Sequence, residues 1–263
     1  MNLSRYFLVM LILLLLASGK LVSAKDPSQR PAFVLVHGAW HGGWCWQEVA
    51  RELRLADFVV YTPSLSGMGE HRHMIREDIS LDTHITDIIN LIEMEDLQNV
   101  VLVGHSYAGA VIAGVADRIP DRLNQLVFLD AMLVHDGESL HALQPLEVQG
   151  MEQEKIKAAE HLEPFSATLF GITEKEQLEW VSRRLTLQPF NTFAQALRLK
   201  NPYCNGLART YIACINPQLP VMKKMAEEAQ LNAGWTYYTL NTGHDAMLTA
   251  PEELTALFIK LVN

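Results

Sequence analysis

Two spacings of apolar residues alternate along the chain, and their order predicts the architecture. Short apolar runs rich in β-branched and aromatic side chains occupy residues 33–37, 58–61, 100–103, 126–130, 210–214 and 235–239. Runs of this length, apolar at consecutive positions, read as strands covered on both faces. Helical patterns lie between them, at 46–54, 81–93, 106–118, 221–229 and 252–261. In the second of these, Leu81, His84, Ile85, Ile88, Ile89 and Ile92 recur every three or four positions and so share one helix face. Strand and helix in strict alternation predict an α/β protein with a six-stranded, mainly parallel sheet, right-handed crossovers and a ligand cleft beyond the carboxyl ends of the strands.

The alternation stops after Asp130 and resumes near Leu207. The intervening stretch carries helical segments at 151–160 and 174–185 and no run that reads as a strand, so it is expected to be a cap of about residues 131–206 inserted into one domain spanning 25–263. Ahead of the domain, Arg5 precedes an uncharged run at 7–17, and the small residues of Val22-Ser23-Ala24 follow. This order predicts a signal peptide over 1–24, cleaved after Ala24. The run is shorter than the ~20 residues a spanning helix needs, so no stable membrane span is expected after processing, and the protein is expected in the periplasm or the medium.

Composition narrows the class. With 263 residues, 49% apolar and 19% charged, the chain can bury one sizeable core. A net charge of −9 without a Lys/Arg cluster excludes nucleic acid as the expected partner, because phosphate binding needs concentrated positive charge. Cys45, Cys204 and Cys214 are too few and too scattered for a disulfide framework; they are expected as buried thiols, with a Cys204–Cys214 pair the one conceivable bridge. No Cys/His spacing points to a metal.

The chemistry is carried by three motifs. Gly104-His105-Ser106-Tyr107-Ala108-Gly109 joins the strand at 100–103 to the next helix, the context of a nucleophile elbow with Ser106 at its tip. The turn is tight enough that small residues must stand two places on either side, here Gly104 and Ala108. Upstream, His37-Gly38-Ala39-Trp40 closes the first strand. An ester carbonyl attacked by Ser106 becomes an oxyanion, for which the backbone N–H groups of Ala39 and Tyr107 are the expected donors, with His37 ordering the loop. A serine hydroxyl needs a base within reach, and His244, in Thr242-Gly243-His244-Asp245 after the last strand, is the candidate among ten histidines. A carboxylate must orient that imidazole. The loop after 210–214 offers Ile215-Asn216-Pro217-Gln218 and no acid, whereas the strand at 126–130 ends in Asp130, which is therefore chosen over Asp136 and Asp245.

With these motifs placed, the chain resembles the plant methylesterase and hydroxynitrile lyase family of the α/β-hydrolase fold, and more closely the bacterial carboxylesterases similar to it. The resemblance spans nearly all of the chain after residue 24. It rests on Phe33-Val34-Leu35-Val36-His37-Gly38-Ala39-Trp40-His41-Gly42-Gly43-Trp44, Thr62-Pro63-Ser64-Leu65-Ser66-Gly67-Met68-Gly69-Glu70, Val103-Gly104-His105-Ser106-Tyr107 and Gly243-His244-Asp245-Ala246-Met247. It implies a six-stranded core, a helical cap, no metal or organic cofactor and, in many members, a homodimer. Two departures follow. Plant members usually take the triad acid from the loop after the strand matching 210–214, where Asn216 and Pro217 stand here. Plant lyases pair a threonine in the oxyanion loop with a lysine after the histidine; this chain has Ala39 and Asp245 there, which disfavours cyanohydrin cleavage.

The expected activity is hydrolysis of small to medium esters with apolar parts, through an acyl-enzyme on Ser106. Trp40, His41, Trp44, Tyr107 and Met132 are expected to line the pocket. The alternatives are lyase or amide-cleaving chemistry at the same site, or a ligand-binding, receptor-like protein that keeps the motif with negligible turnover.

Overall fold

The computed structural model describes residues 30–158 and 160–262; the expected leader at 1–24 lies outside the described residues. Six strands form one sheet: β1 Phe33–Val36, β2 Val60–Tyr61, β3 Val100–His105, β4 Leu123–Leu129, β5 Ala208–Cys214 and β6 Trp235–Leu240. Their order across the sheet is β2-β1-β3-β4-β5-β6, and every neighbouring pair is parallel. The longer helices are α1 Gln47–Leu55, α2 Leu81–Met94, α3 Ala108–Arg118, α4 Leu146–Lys157, α5 Lys175–Ser182, α6 Pro220–Leu231 and α7 Pro251–Val262.

Side chains alternate across a strand, so each central strand supplies two cores. Val34, Val36, Leu102, Leu126 and Phe128 point to the face covered by Ile85, Ile88 and Val111 of α2 and α3. Phe33, Leu35, Val101, Val103, Val127 and Leu129 point to the other face, against Val49 and Leu53 of α1 and Leu254 and Phe258 of α7. The strands read as unbroken apolar runs because both faces are buried. The expected helix face at 81–93 is the buried one, with Leu81, His84, Ile85, Ile88 and Ile92 inward.

Element ends differ from the sequence reading where a side chain leaves the regular ladder. The first strand stops at Val36, because the His37 ring turns to the loop, where its Nδ1 meets the Gly38 carbonyl at 2.8 Å. The strand expected at 126–130 begins at Leu123; Gln125 is tolerated inside it because its amide donates to the Leu261 carbonyl at 3.2 Å. The helix expected from Ser106 begins at Ala108, since Ser106 has a left-handed φ of 54° that no α-helix accommodates.

Residues between β4 and β5 form the excursion expected as a cap. It contains α4, which starts earlier than read, directly after Pro145, and α5, which ends at Ser182. Its described residues include an antiparallel bridge between Leu162 and Gln188. The excursion sits down on the loop before His244 through two glycines: a Cβ on Gly243 would lie 2.6 Å from the Gly171 Cα. Among the described residues no helix is long and apolar enough to cross a membrane.

Candidate active site

Strand register brings the site together. β3 pairs with β4 so that His105 stands opposite Leu129, and the next residues on each strand are Ser106 and Asp130. The Ser106 N–H donates to the Leu129 carbonyl at 3.1 Å, and the Asp130 N–H donates to Ile212 of β5 at 2.7 Å. Both residues have positive φ, 54° for Ser106 and 39° for Asp130. Each side chain is thereby turned off its strand end toward the cleft, at a backbone cost of order 1–3 kcal/mol per residue. The turn at Ser106 leaves no room for a side chain at Gly104, where a Cβ would lie 2.7 Å from the Ala108 carbonyl oxygen.

Asp130 meets the late-chain histidine: His244 Nδ1–H donates to Asp130 Oδ2 at 2.7 Å, and both side chains are buried. The other carboxylate oxygen accepts the Cys214 N–H at 3.1 Å. One proton on Nδ1 leaves Nε2 as the free acceptor, which is the tautomer a general base needs. Ser106 and His244 line the same cavity. The serine hydroxyl makes no hydrogen bond among the described residues, so it is free to turn to that nitrogen; such contacts often tighten only when substrate is bound. The rival acids lie elsewhere. Asp136 accepts the Leu199 N–H at 2.9 Å on the protein surface, and Asp245 pairs with His41 Nε2 at 3.0 Å.

The residues that carry the expected oxyanion donors line the same cavity. Ala39 and Tyr107 both line it, and among the described residues neither amide donates to a protein acceptor. The loop carrying Ala39 is held by neutral His37, whose Nδ1–H donates to the Gly38 carbonyl while Nε2 accepts the Leu65 N–H at 3.1 Å. Burial lowers the pKa of His37 from 6.5 to about 3, which keeps that ring uncharged. Tyr107 is fixed from below by His84, whose Nδ1 accepts the phenol hydroxyl at 2.9 Å while Nε2–H donates to the Ser66 carbonyl at 2.9 Å. His84 was legible in the sequence only as a polar member of an apolar helix face, with nothing to name its partner.

The cavity has a volume of about 210 Å³. Trp40, Met132, Phe165, Phe170, Phe193 and Met222 make up much of its wall, and Gln144 adds a neutral amide. The Trp40 indole N–H is satisfied by the Leu162 carbonyl at 3.1 Å, so its ring face is presented as apolar surface. Of the residues expected to line the pocket, Trp40, Tyr107 and Met132 are found in the wall of this cavity, and His41 and Trp44 are not. His41 turns away to Asp245, and Trp44 stacks on it with ring centroids 5.4 Å apart, so both lie behind the wall. The three phenylalanines of the wall come from the excursion, where periodicity gave no sign of which side chains turn inward. Ligand-type atoms of His105, His244 and Asp245 lie within 4.8 Å of one another. Hydrogen bonds tie this cluster to the main chain and to Asp130: His105 Nε2–H donates to the His244 carbonyl at 3.0 Å. All three cysteines are buried free thiols.

Comparison with known proteins places this geometry in a family. The model of the alpha/beta hydrolase family matches residues 33–257, and the chain belongs to that family. A carbendazim hydrolyzing esterase of Nocardioides sp. (strain SG-4G) is 37% identical over 232 residues, covering 84% of this chain and 96% of that protein. Methylesterase 10 of Arabidopsis thaliana is 29% identical over 259 residues, covering 86% and 89% respectively. Among solved structures, an extracellular alpha/beta-hydrolase from a Paenibacillus species superposes with a TM-score of 0.76 at 25% identity, over 88% of this chain and 98% of that one.

Proposed function

We propose that the protein is a serine carboxylesterase in which Ser106 is the nucleophile, His244 the base and Asp130 the acid that orients it. The observation that carries this reading is the 2.7 Å bond from His244 Nδ1 to Asp130, beside a serine held at a strained elbow in the same cavity. Similarity to a carbendazim hydrolyzing esterase and to methylesterases supports ester cleavage. Ser106 Oγ attacks the ester carbonyl as His244 Nε2 takes its proton. The oxyanion is met by the Ala39 and Tyr107 amides, the proton passes to the departing alcohol, and an acyl-serine remains. Water then enters by the same steps and releases the acid. The wall favours a neutral ester with apolar groups, because among the described residues His244 is its only ionisable side chain besides the phenol of Tyr107.

The reading extends to the N-terminus: a leader over 1–24 would direct export, in keeping with the extracellular Paenibacillus relative. N-terminal sequencing of the secreted or periplasmic protein is expected to begin at Lys25. The decisive experiment is a p-nitrophenyl ester series, from acetate to octanoate, on purified protein and on Ser106→Ala. Multiple turnovers in the first and none in the second are expected. A folded protein that gives only one stoichiometric burst would instead support a ligand-binding role.

A further inference from the structure

Behind the cavity wall lies a buried ion pair that the reaction steps above do not use. His41 is 2% exposed and Asp245 0%. Nδ1 of His41 lies 2.7 Å from the Ala39 carbonyl oxygen, and Nε2 lies 3.0 Å from Asp245 Oδ2. A carbonyl and a carboxylate only accept hydrogen bonds, so the ring carries a hydrogen on both nitrogens, as an imidazolium does. Burial alone would lower the pKa of His41, but the charge and hydrogen bond of Asp245 outweigh it and raise the value; burial likewise opposes ionisation of Asp245, and His41 holds it below the usual carboxylate range.

The two ends of this pair sit beside the two halves of the proposed machinery, Asp245 one residue from His244 and His41 two residues from Ala39. Asp245 directly follows the base, and the His41 bond ends on the residue whose amide is the proposed oxyanion donor. We propose that the His41 imidazolium and Asp245 form a positioning link that fixes the Ala39 amide relative to His244, and that loss of the His41 proton limits turnover at alkaline pH. The proposal rests on the esterase reading. When the proton leaves, one ring nitrogen becomes an acceptor facing another acceptor, and either the Ala39 or the Asp245 bond breaks. The loop is then free to shift by a fraction of an ångström, enough to spoil donors that must stand 2.7–3.1 Å from the oxyanion.

The other groups facing the pair do not titrate in its place. From the first strand's loop and the elbow come His37 and His105, whose values burial pushes down. From the turn after the oxyanion loop and from β5 come the thiols of Cys45 and Cys214, which burial and Asp245 push up. His244, the proposed base, also faces the pair from the last strand's loop.

The test compares kcat and KM across pH 5–10 for the wild type and Asp245→Asn, with p-nitrophenyl butyrate and active sites counted by burst titration. An amide keeps the shape but cannot hold the imidazolium. The expected result is an alkaline limb in the wild type that moves toward neutrality by about one unit or more in the variant, with kcat at pH 8 down about tenfold or more and KM little changed. A variant whose titrated sites turn over as fast as wild type, with the same alkaline limb, would overturn the proposal. So would a wild-type kcat that stays flat to pH 10, a result independent of whether the variant folds. Absence of any ester turnover by the wild type would instead remove the esterase reading itself.

Discussion

At the residue scale, the site depends on where protons are held. His244 is set in one tautomer by Asp130, so Asp130→Asn, which can donate to Nδ1, is expected to favour the wrong tautomer and lower kcat by on the order of 10⁴-fold, as in the best-studied serine triad. Asp136→Asn, at a surface residue bonded to the Leu199 amide, is expected to leave kcat within about twofold. Steady-state kinetics on the two variants separates the candidate acids. The His41–Asp245 pair also has a signature in stability. A raised His41 value contributes stability that is complete below the ordinary histidine value of 6.5 and is lost as pH rises through the folded value. Asp245, lowered from 3.8, contributes above that value and loses its share as pH falls through the folded one. Urea unfolding of the wild type is therefore expected to show stability declining on the alkaline side of neutrality, and Asp245→Asn to show less of that decline.

At the element scale, the excursion between β4 and β5 both shapes the cavity and seats against the His244 loop. Asp245 donates its N–H to the Phe170 carbonyl at 3.1 Å, next to the Gly171–Gly243 contact. A methyl group at Gly243 would meet backbone, which cannot swing aside as a flexible side chain can. Gly243→Ala is expected to cost about 1–3 kcal/mol in chemical denaturation and to lower kcat by tilting the loop that carries the proposed base. Phe193 stacks on Tyr107 with ring centroids 5.6 Å apart and forms part of the cavity wall. Phe193→Ala is expected to move the preferred acyl chain to greater length in the p-nitrophenyl series; an unchanged optimum would place the acyl group elsewhere in the cavity.

At the scale of the whole molecule, the sheet with its two apolar faces is the frame that holds the strand ends in register. Phe258 of α7 is fully buried and stacks near Phe33, with centroids 6.0 Å apart, so Phe258→Ala is expected to destabilise the fold by about 3–5 kcal/mol in denaturant titration. The strands of this frame were legible because a run buried on both faces must be apolar throughout, and the helices because a one-sided helix repeats every three or four residues. Ser106 was legible because the elbow needs Gly104 and a small residue at 108, and that steric need is written locally. Asp130 emerged from the absence of an acid after β5, but its 2.7 Å bond to His244 depends on residues 114 positions apart. His41 and Trp44 illustrate the opposite case: proximity to the proposed oxyanion loop placed them near the cavity, while a partner 204 positions away turned His41 from it. Sequence by itself determined the order of strands and helices, the elbow and the candidate chemistry, because those follow from periodicity and local sterics. Only the tertiary structure decided which carboxylate meets which imidazole, and which aromatic rings face the cavity, because both are set by contacts between segments whose spacing along the chain carries no record of their approach.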